Sequence, residues 1–150
     1  MIKYAVERYQ DAINEMSAIY PEHWKEIALD QSEIALDPDY AKYAAMAEKG
    51  FIHLATARDD GALVGYCMFF IGPHLHYKST IVATNDILFL KRSHRGLGTG
   101  KRFLEFSVKS LPESVKKVVI AEKLHHPFGK TLANMGMVPI EQKWSMTVRN

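Results

Sequence analysis

The chain has 150 residues, of which 47% are hydrophobic and 24% charged, with a net charge of +2 and a single cysteine. That balance fits one domain over residues 1–150 with its own core, and excludes a disordered, fibrous or disulfide-stapled chain. The mild charge does not by itself point to nucleic acid, no apolar run approaches the ~20 residues of a membrane span, and Met1-Ile2-Lys3-Tyr4 lacks a signal-peptide core, so a soluble cytoplasmic protein is expected.

Residues 2–6 read as a short strand. Tyr9, Ala12, Ile13, Met16, Ile19 and Tyr20 then recur at helical spacing, which predicts an amphipathic helix over residues 8–20. Pro21 is expected to stop it, with a second, short helix over residues 22–29. Asp37-Pro38 reads as an N-cap followed by proline at the first helical position, opening a helix that runs to Lys49 and stops at Gly50. Residues 51–58 alternate as a strand, Asp59-Asp60-Gly61 forms a tight turn, and residues 63–71 form a long apolar strand in which Cys67 is a small core residue rather than a nucleophile. A loop over residues 72–78 leads to a strand over residues 80–90, completing an antiparallel meander. Phe103, Leu104, Val108 and Leu111 mark a helix over residues 98–110, ended by Pro112. A strand over residues 118–121, a helix over residues 127–135 ended by Gly136, and two last strands over residues 137–140 and 144–148 complete the chain. The fold class implied is α/β (α+β), a mixed and mainly antiparallel sheet flanked by helices.

The most informative segment is Arg95-Gly96-Leu97-Gly98-Thr99-Gly100, between the strand ending at Leu90 and the next helix. Glycines let the backbone approach a ligand closely, and a helix N-terminus offers unpaired N–H groups and partial positive charge to phosphate oxygens. Arg95 and Lys101 add charge on either side. A Walker loop requires G-x-x-x-x-G-K-[ST] and a dinucleotide fingerprint G-x-G-x-x-G; the first fails at Arg95 and Arg102, the second at Lys101. The segment fits R-x-x-G-x-G, with Arg95, Gly98 and Gly100 in the fixed positions.

On that loop, the preceding strand Asp86-Ile87-Leu88-Phe89-Leu90, the strand Ala62-Leu63-Val64-Gly65-Tyr66, and Thr131-Leu132-Ala133-Asn134-Met135-Gly136-Met137, the chain resembles the GNAT N-acetyltransferases. A Glu-His-Trp near the N-terminus and a His-Tyr-Lys before the fourth strand give it the look of the small GNAT proteins of phages and bacteria. The resemblance implies a GNAT-type fold, acetyl-CoA as donor, and transfer of acetyl to a primary amine of a small molecule, peptide or protein by direct attack in a ternary complex. It assigns the pyrophosphate to the backbone of Arg95, Gly96, Leu97, Gly98, Thr99, Gly100 and Lys101, and the pantetheine arm to that of Leu88, Phe89 and Leu90. His125, Phe128 and Lys130 fall on the CoA side, and Glu22, Trp24, His74, His76 and Tyr77 on the acceptor side.

Direct attack needs a neutral amine, hence a base. Asp86 is the candidate: it lies four residues before Leu90, which places it on the strand face of Leu88 and Leu90, and some family members carry a glutamate there. The tyrosine that often protonates the departing thiolate in the family is replaced by Leu132. His125, His126 or Tyr77 would have to serve instead, or the thiolate leaves unassisted. That departure sustains an alternative, a catalytically weak or inactive acyl-CoA-binding or partner-binding module. The seven histidines lack the spacing of a zinc site. Nucleic-acid binding through Lys91, Arg92, Arg95, Lys101 and Arg102 explains the basic cluster less economically than a pyrophosphate does. Exposed edge strands in such a sheet offer a route to a homodimer.

Overall fold

The computed structural model describes residues 1–148. The elements are β1 (Ile2–Glu7), α1 (Tyr9–Ile27), α2 (Tyr40–Glu48), β2 (Ile52–Asp59), β3 (Ala62–His74), β4 (Tyr77–Leu90), a 3-10 turn (Arg92–His94), α3 (Thr99–Lys109), β5 (Val115–Val119) and α4 (Gly129–Asn134). The sheet order is β1-β2-β3-β4-β5; the first four strands are antiparallel and β5 is parallel to β4. This is the mixed α/β architecture expected. Among the described residues no helix is long and apolar enough to cross a membrane.

The two sheet faces carry separate cores. On one, α1 and α2 pack over Leu54, Leu63, Tyr66, Met68 and Phe89; on the other, Phe103 and Leu104 of α3, Leu132 of α4 and Met135 just after it pack over Ala55, Cys67, Phe69 and Leu90. Cys67 is fully enclosed there, and burial pushes its thiol up to about 12, consistent with a core role. Gly65 allows β3 and β4 to close: a Cβ there would lie 2.9 Å from both the Phe89 carbonyl and the Leu90 side chain.

Several boundaries differ from the sequence expectation. Pro21 lies inside α1 and does not end it. Its missing N–H forfeits a helical bond and typically costs ~3 kcal/mol, but the buried stripe Tyr9, Ala12, Met16, Ile19 and His23 continues through it and offsets the loss. The short helix expected over residues 22–29 is therefore the end of α1. α2 begins at Tyr40, not Pro38, because Asp39 is the N-cap, accepting the Lys42 N–H at 2.9 Å. Most of the expected 72–78 loop is strand: Gly72 pairs with Val82, Pro73 with Ile81 and His74 with Tyr77. β5 begins at Val115, earlier than residue 118, because its register on β4 starts opposite Ile81. The two last strands, over residues 137–140 and 144–148, do not form. A strand needs a ladder partner; none is in place for them among the described residues, and Val138, Ile140, Trp144, Met146 and Val148 are exposed.

His23 ties α1 to the sheet. Its Nδ1 lies 2.9 Å from the Tyr66 hydroxyl and its ring stacks on Phe89 at 4.7 Å. Burial pushes its pKa down to about 4. Below pH 6.5 the unfolded chain takes up a proton that the folded chain refuses, so stability is full above 6.5 and declines as pH falls toward 4, by ~3 kcal/mol. Thermal melts between pH 7 and 4 are expected to show this decline in the wild type and a shallower one in His23→Gln. Parallel curves for the two proteins would rule the assignment out.

Candidate active site

The site is organised by a bulge in β4. Met68 of β3 pairs with Ile87, but Phe69 pairs with Asn85, so Asp86 is the extra residue between them. The Asn85 side-chain amide staples the irregularity, donating to the Met68 and Ile87 carbonyls at 3.0 Å each. Strand alternation is broken at that point. Asp86 therefore does not share a face with Leu88 and Leu90, which pack toward α3; it turns toward α2, where its Oδ2 accepts the Tyr43 hydroxyl at 2.6 Å. This corrects the simple alternation from Leu90. Partial burial raises the pKa of Asp86 above the usual aspartate value, while the Tyr43 bond pulls it back. The Tyr43 phenol is itself pushed up, by burial first and then by Asp86, so it holds its proton.

Asp86 and Tyr43 line a cleft of about 300 Å³ with Asp39, Lys42, Met46 and Phe70. Tyr43 stacks on Phe70 at 5.9 Å and on Tyr9 at 5.9 Å. Tyr9 is buried and its hydroxyl has no hydrogen-bond partner among the described residues.

The strands diverge at the same place. β5 pairs with β4 only at Ile81, Val82, Ala83 and Thr84, so from Asn85 to Leu90 the β5 side of β4 is open. That opening leads to the glycine loop. Gly96, Leu97 and Gly98 have φ of 113°, 47° and 77°, three successive left-handed residues that curl the backbone into a concave nest. The loop closes with Thr99 N–H on the Gly96 carbonyl at 2.9 Å, and α3 starts with no side-chain cap. The first-turn N–H groups of Gly100 and Lys101 are thus left for a ligand. Gly100 has no left-handed φ, and a Cβ there would meet nothing within 4 Å. Its backbone does not need glycine; open space in front of the helix end is what a large anion such as a pyrophosphate requires.

Arg95 plays a different part from the flanking charge expected. Its guanidinium holds Glu26 of α1 through two bonds of 2.6 and 2.9 Å, its Nε donates to the Leu90 carbonyl at 2.6 Å, and it lies over the Phe89 ring. Its charge is thereby neutralised away from the nest, and its structural effect is to clamp loop, strand end and α1 together. Glu26 also contacts His126 and, at 3.9 Å, Arg92; the Arg95 bonds chiefly hold its carboxyl below the usual range. Lys101 remains at the helix start, with Nζ 3.9 Å from Glu105.

The other candidates are scattered. His74, His76 and Tyr77 form a ring cluster at the exposed tip of the β3–β4 hairpin and do not line the cleft. Glu22 and Trp24 lie on α1 on either side of buried His23 and do not line it either. His125 and Lys130 are exposed, and Phe128 packs against the α3-side core with its N–H on Glu122 at 2.6 Å. Leu132 packs in that same core and offers no proton. Tyr43, Asn85 and Glu26 were not among the sequence candidates; Tyr43 and Glu26 act on partners 43 and 69 residues away, and no local pattern marks them.

Comparison with known proteins bears on the fold that carries these residues. No curated protein matches the chain significantly. Among solved structures, a ribosomal-protein-alanine N-acetyltransferase from Brucella melitensis biovar Abortus 2308 is 20% identical, with a TM-score of 0.62 over 100% of this chain and 99% of that one. A protein from Clostridium acetobutylicum described as a predicted acetyltransferase, solved with acetyl-CoA, is 12% identical, with a TM-score of 0.69 over 98% and 96%. An aminoglycoside acetyltransferase from an uncultured soil metagenomic sample, solved with sisomicin, is 10% identical, with a TM-score of 0.67 over 99% and 95%. At these identities the likeness is one of fold. The family model for the acetyltransferase (GNAT) family matches residues 9–126, which takes in α1, the bulged strand and the nest. The chain belongs to the GNAT acetyltransferase family.

Proposed function

We propose that this protein is an acetyl-CoA-dependent N-acetyltransferase that acts on a primary amine by direct attack within a ternary complex. The observation that carries this reading is the placement of Asp86 and the amide nest at opposite ends of one open strand edge, residues 85–90. Acetyl-CoA supplies an acetyl group activated as a thioester. The N–H groups at the start of α3 bind its pyrophosphate, and the open edge of β4 receives its extended arm. Asp86, with one oxygen held by Tyr43, takes a proton from the incoming ammonium so that the nitrogen lone pair is free to attack. With leucine at position 132, the leaving thiolate departs without a dedicated acid. The unpaired outer edges of β1 and β5 would be the seams of a homodimer.

Thiol release from acetyl-CoA against a panel of amines tests this reading. Release above background with at least one amine is expected. The apolar setting of Leu132 favours one alternative, a donor-binding module without turnover; it would show stabilisation by acetyl-CoA and no thiol release with any amine.

A further inference from the structure

We propose that the acceptor is a compact monoamine whose nitrogen is carried on a hydrocarbon stem, seated in the cleft between α2 and the β4 bulge. The inference rests on the acetyltransferase reading and adds the substrate class to it.

The cleft is small. About 300 Å³ lies at the lower end of ligand pockets, with room for a small molecule or one long side chain rather than a polycyclic glycoside. Its wall is hydrocarbon: the stacked Tyr43 and Phe70 rings and the Met46 thioether. Such a wall rewards each methylene laid on it, by up to about fourfold in affinity, and gives a hydroxyl no partner.

Its charges are placed unevenly. Asp86 is half-buried at the strand, and with Oδ2 committed to Tyr43 its Oδ1 remains for an ammonium. Asp39 and Lys42 are both exposed, and their opposite charges cancel. One positive charge is therefore matched, at the Asp86 end. A second ammonium on the same molecule would find no second half-buried carboxylate in the cleft, only the exposed Asp39, offset by the Lys42 cation, and the weak pull of the aromatic faces.

The test compares ethylamine, butylamine, hexylamine, spermidine, kanamycin and an N-acetyl-lysine amide under saturating acetyl-CoA. Expected is a kcat/KM that climbs two- to fourfold per methylene from ethylamine to hexylamine and exceeds that of spermidine and kanamycin by tenfold or more. Met46→Ala and Phe70→Ala should flatten the climb, lowering the hexylamine-to-ethylamine ratio of kcat/KM toward one. Met46 lies half-exposed on α2, so its variant serves if Phe70→Ala fails to fold. A flat alkyl series, or a preference for spermidine or kanamycin, overturns the proposal. A lysine amide that outperforms hexylamine overturns the free-amine source and assigns the same stem-and-ammonium chemistry to a peptide. Calorimetry of hexylamine against kanamycin on CoA-saturated protein reads the cleft without turnover. Tighter hexylamine binding in the absence of any thiol release would sink the enzymatic reading and leave the recognition of the stem standing; equal or weaker binding sinks the recognition itself.

Discussion

Gly100→Leu is expected to keep its fold and lose its response to acetyl-CoA. At a donor concentration one hundred times Kd, binding stabilises the native state by ~2.7 kcal/mol. For a domain of this size that is a rise of roughly 5–10 °C in Tm, at ~2–4 °C per kcal/mol. Gly100 is exposed and a Cβ there meets no atom within 4 Å, so a leucine can project outward without displacing the backbone. Leucine also favours a helix over glycine by up to ~1 kcal/mol, so the apo Tm should stay level or rise slightly. The variant is sharper than one at Gly98, where φ is +77° and a Cβ would sit 3.1 Å from Arg102; lost binding there would mix strain with steric exclusion. Differential scanning fluorimetry with and without acetyl-CoA decides it. An undiminished shift in Gly100→Leu would falsify the placement of the pyrophosphate at the start of α3.

Asp86→Asn is expected to lower kcat by roughly 10²-fold or more, the usual contribution of a positioned general base, while the acetyl-CoA melting shift stays as in the wild type. Asparagine retains an oxygen for the Tyr43 hydroxyl, so the cleft keeps its shape and only the proton acceptor is removed. The pH profile adds a second reading. Burial raises the pKa of Asp86, so the acid limb of kcat/KM should lie above the ordinary aspartate range, with activity falling as pH drops through it. Tyr43→Phe removes the bond that pulls this pKa down and should move the limb to higher pH; Asp86→Asn should erase it. Wild-type turnover in Asp86→Asn would remove this carboxylate from the chemistry.

The extent to which each feature was legible follows from the range of the forces that set it. The glycine loop could be read from six consecutive residues, because a nest and a free helix end are properties of local backbone. The same holds for α3, whose buried Phe103 and Leu104 lie on the predicted stripe, and for the β2–β3 turn at Asp60-Gly61, both of which have positive φ. The family resemblance and the mixed sheet rested on such local signals, and the fold agrees with them.

Pro21 shows where local reading fails. Its intrinsic preference ends helices, but burial of Ile19 and His23 against the sheet carries α1 through it. The last two strands show the converse, since apolar alternation over residues 137–148 formed no ladder where no partner strand was in place. At the site, the sequence by itself determined that Asp86 stands on the strand just ahead of a glycine-rich loop and a helix start. Only the tertiary structure decided which way it faces, because a bulge against β3 shifts the register by one residue and moves the carboxylate from the α3 side to the α2 side. Likewise, the sequence supplied the charge of Arg95, and the approach of α1 assigned it to Glu26. Strand register and helix docking are fixed by packing between residues far apart in the chain, and no window of local sequence records them.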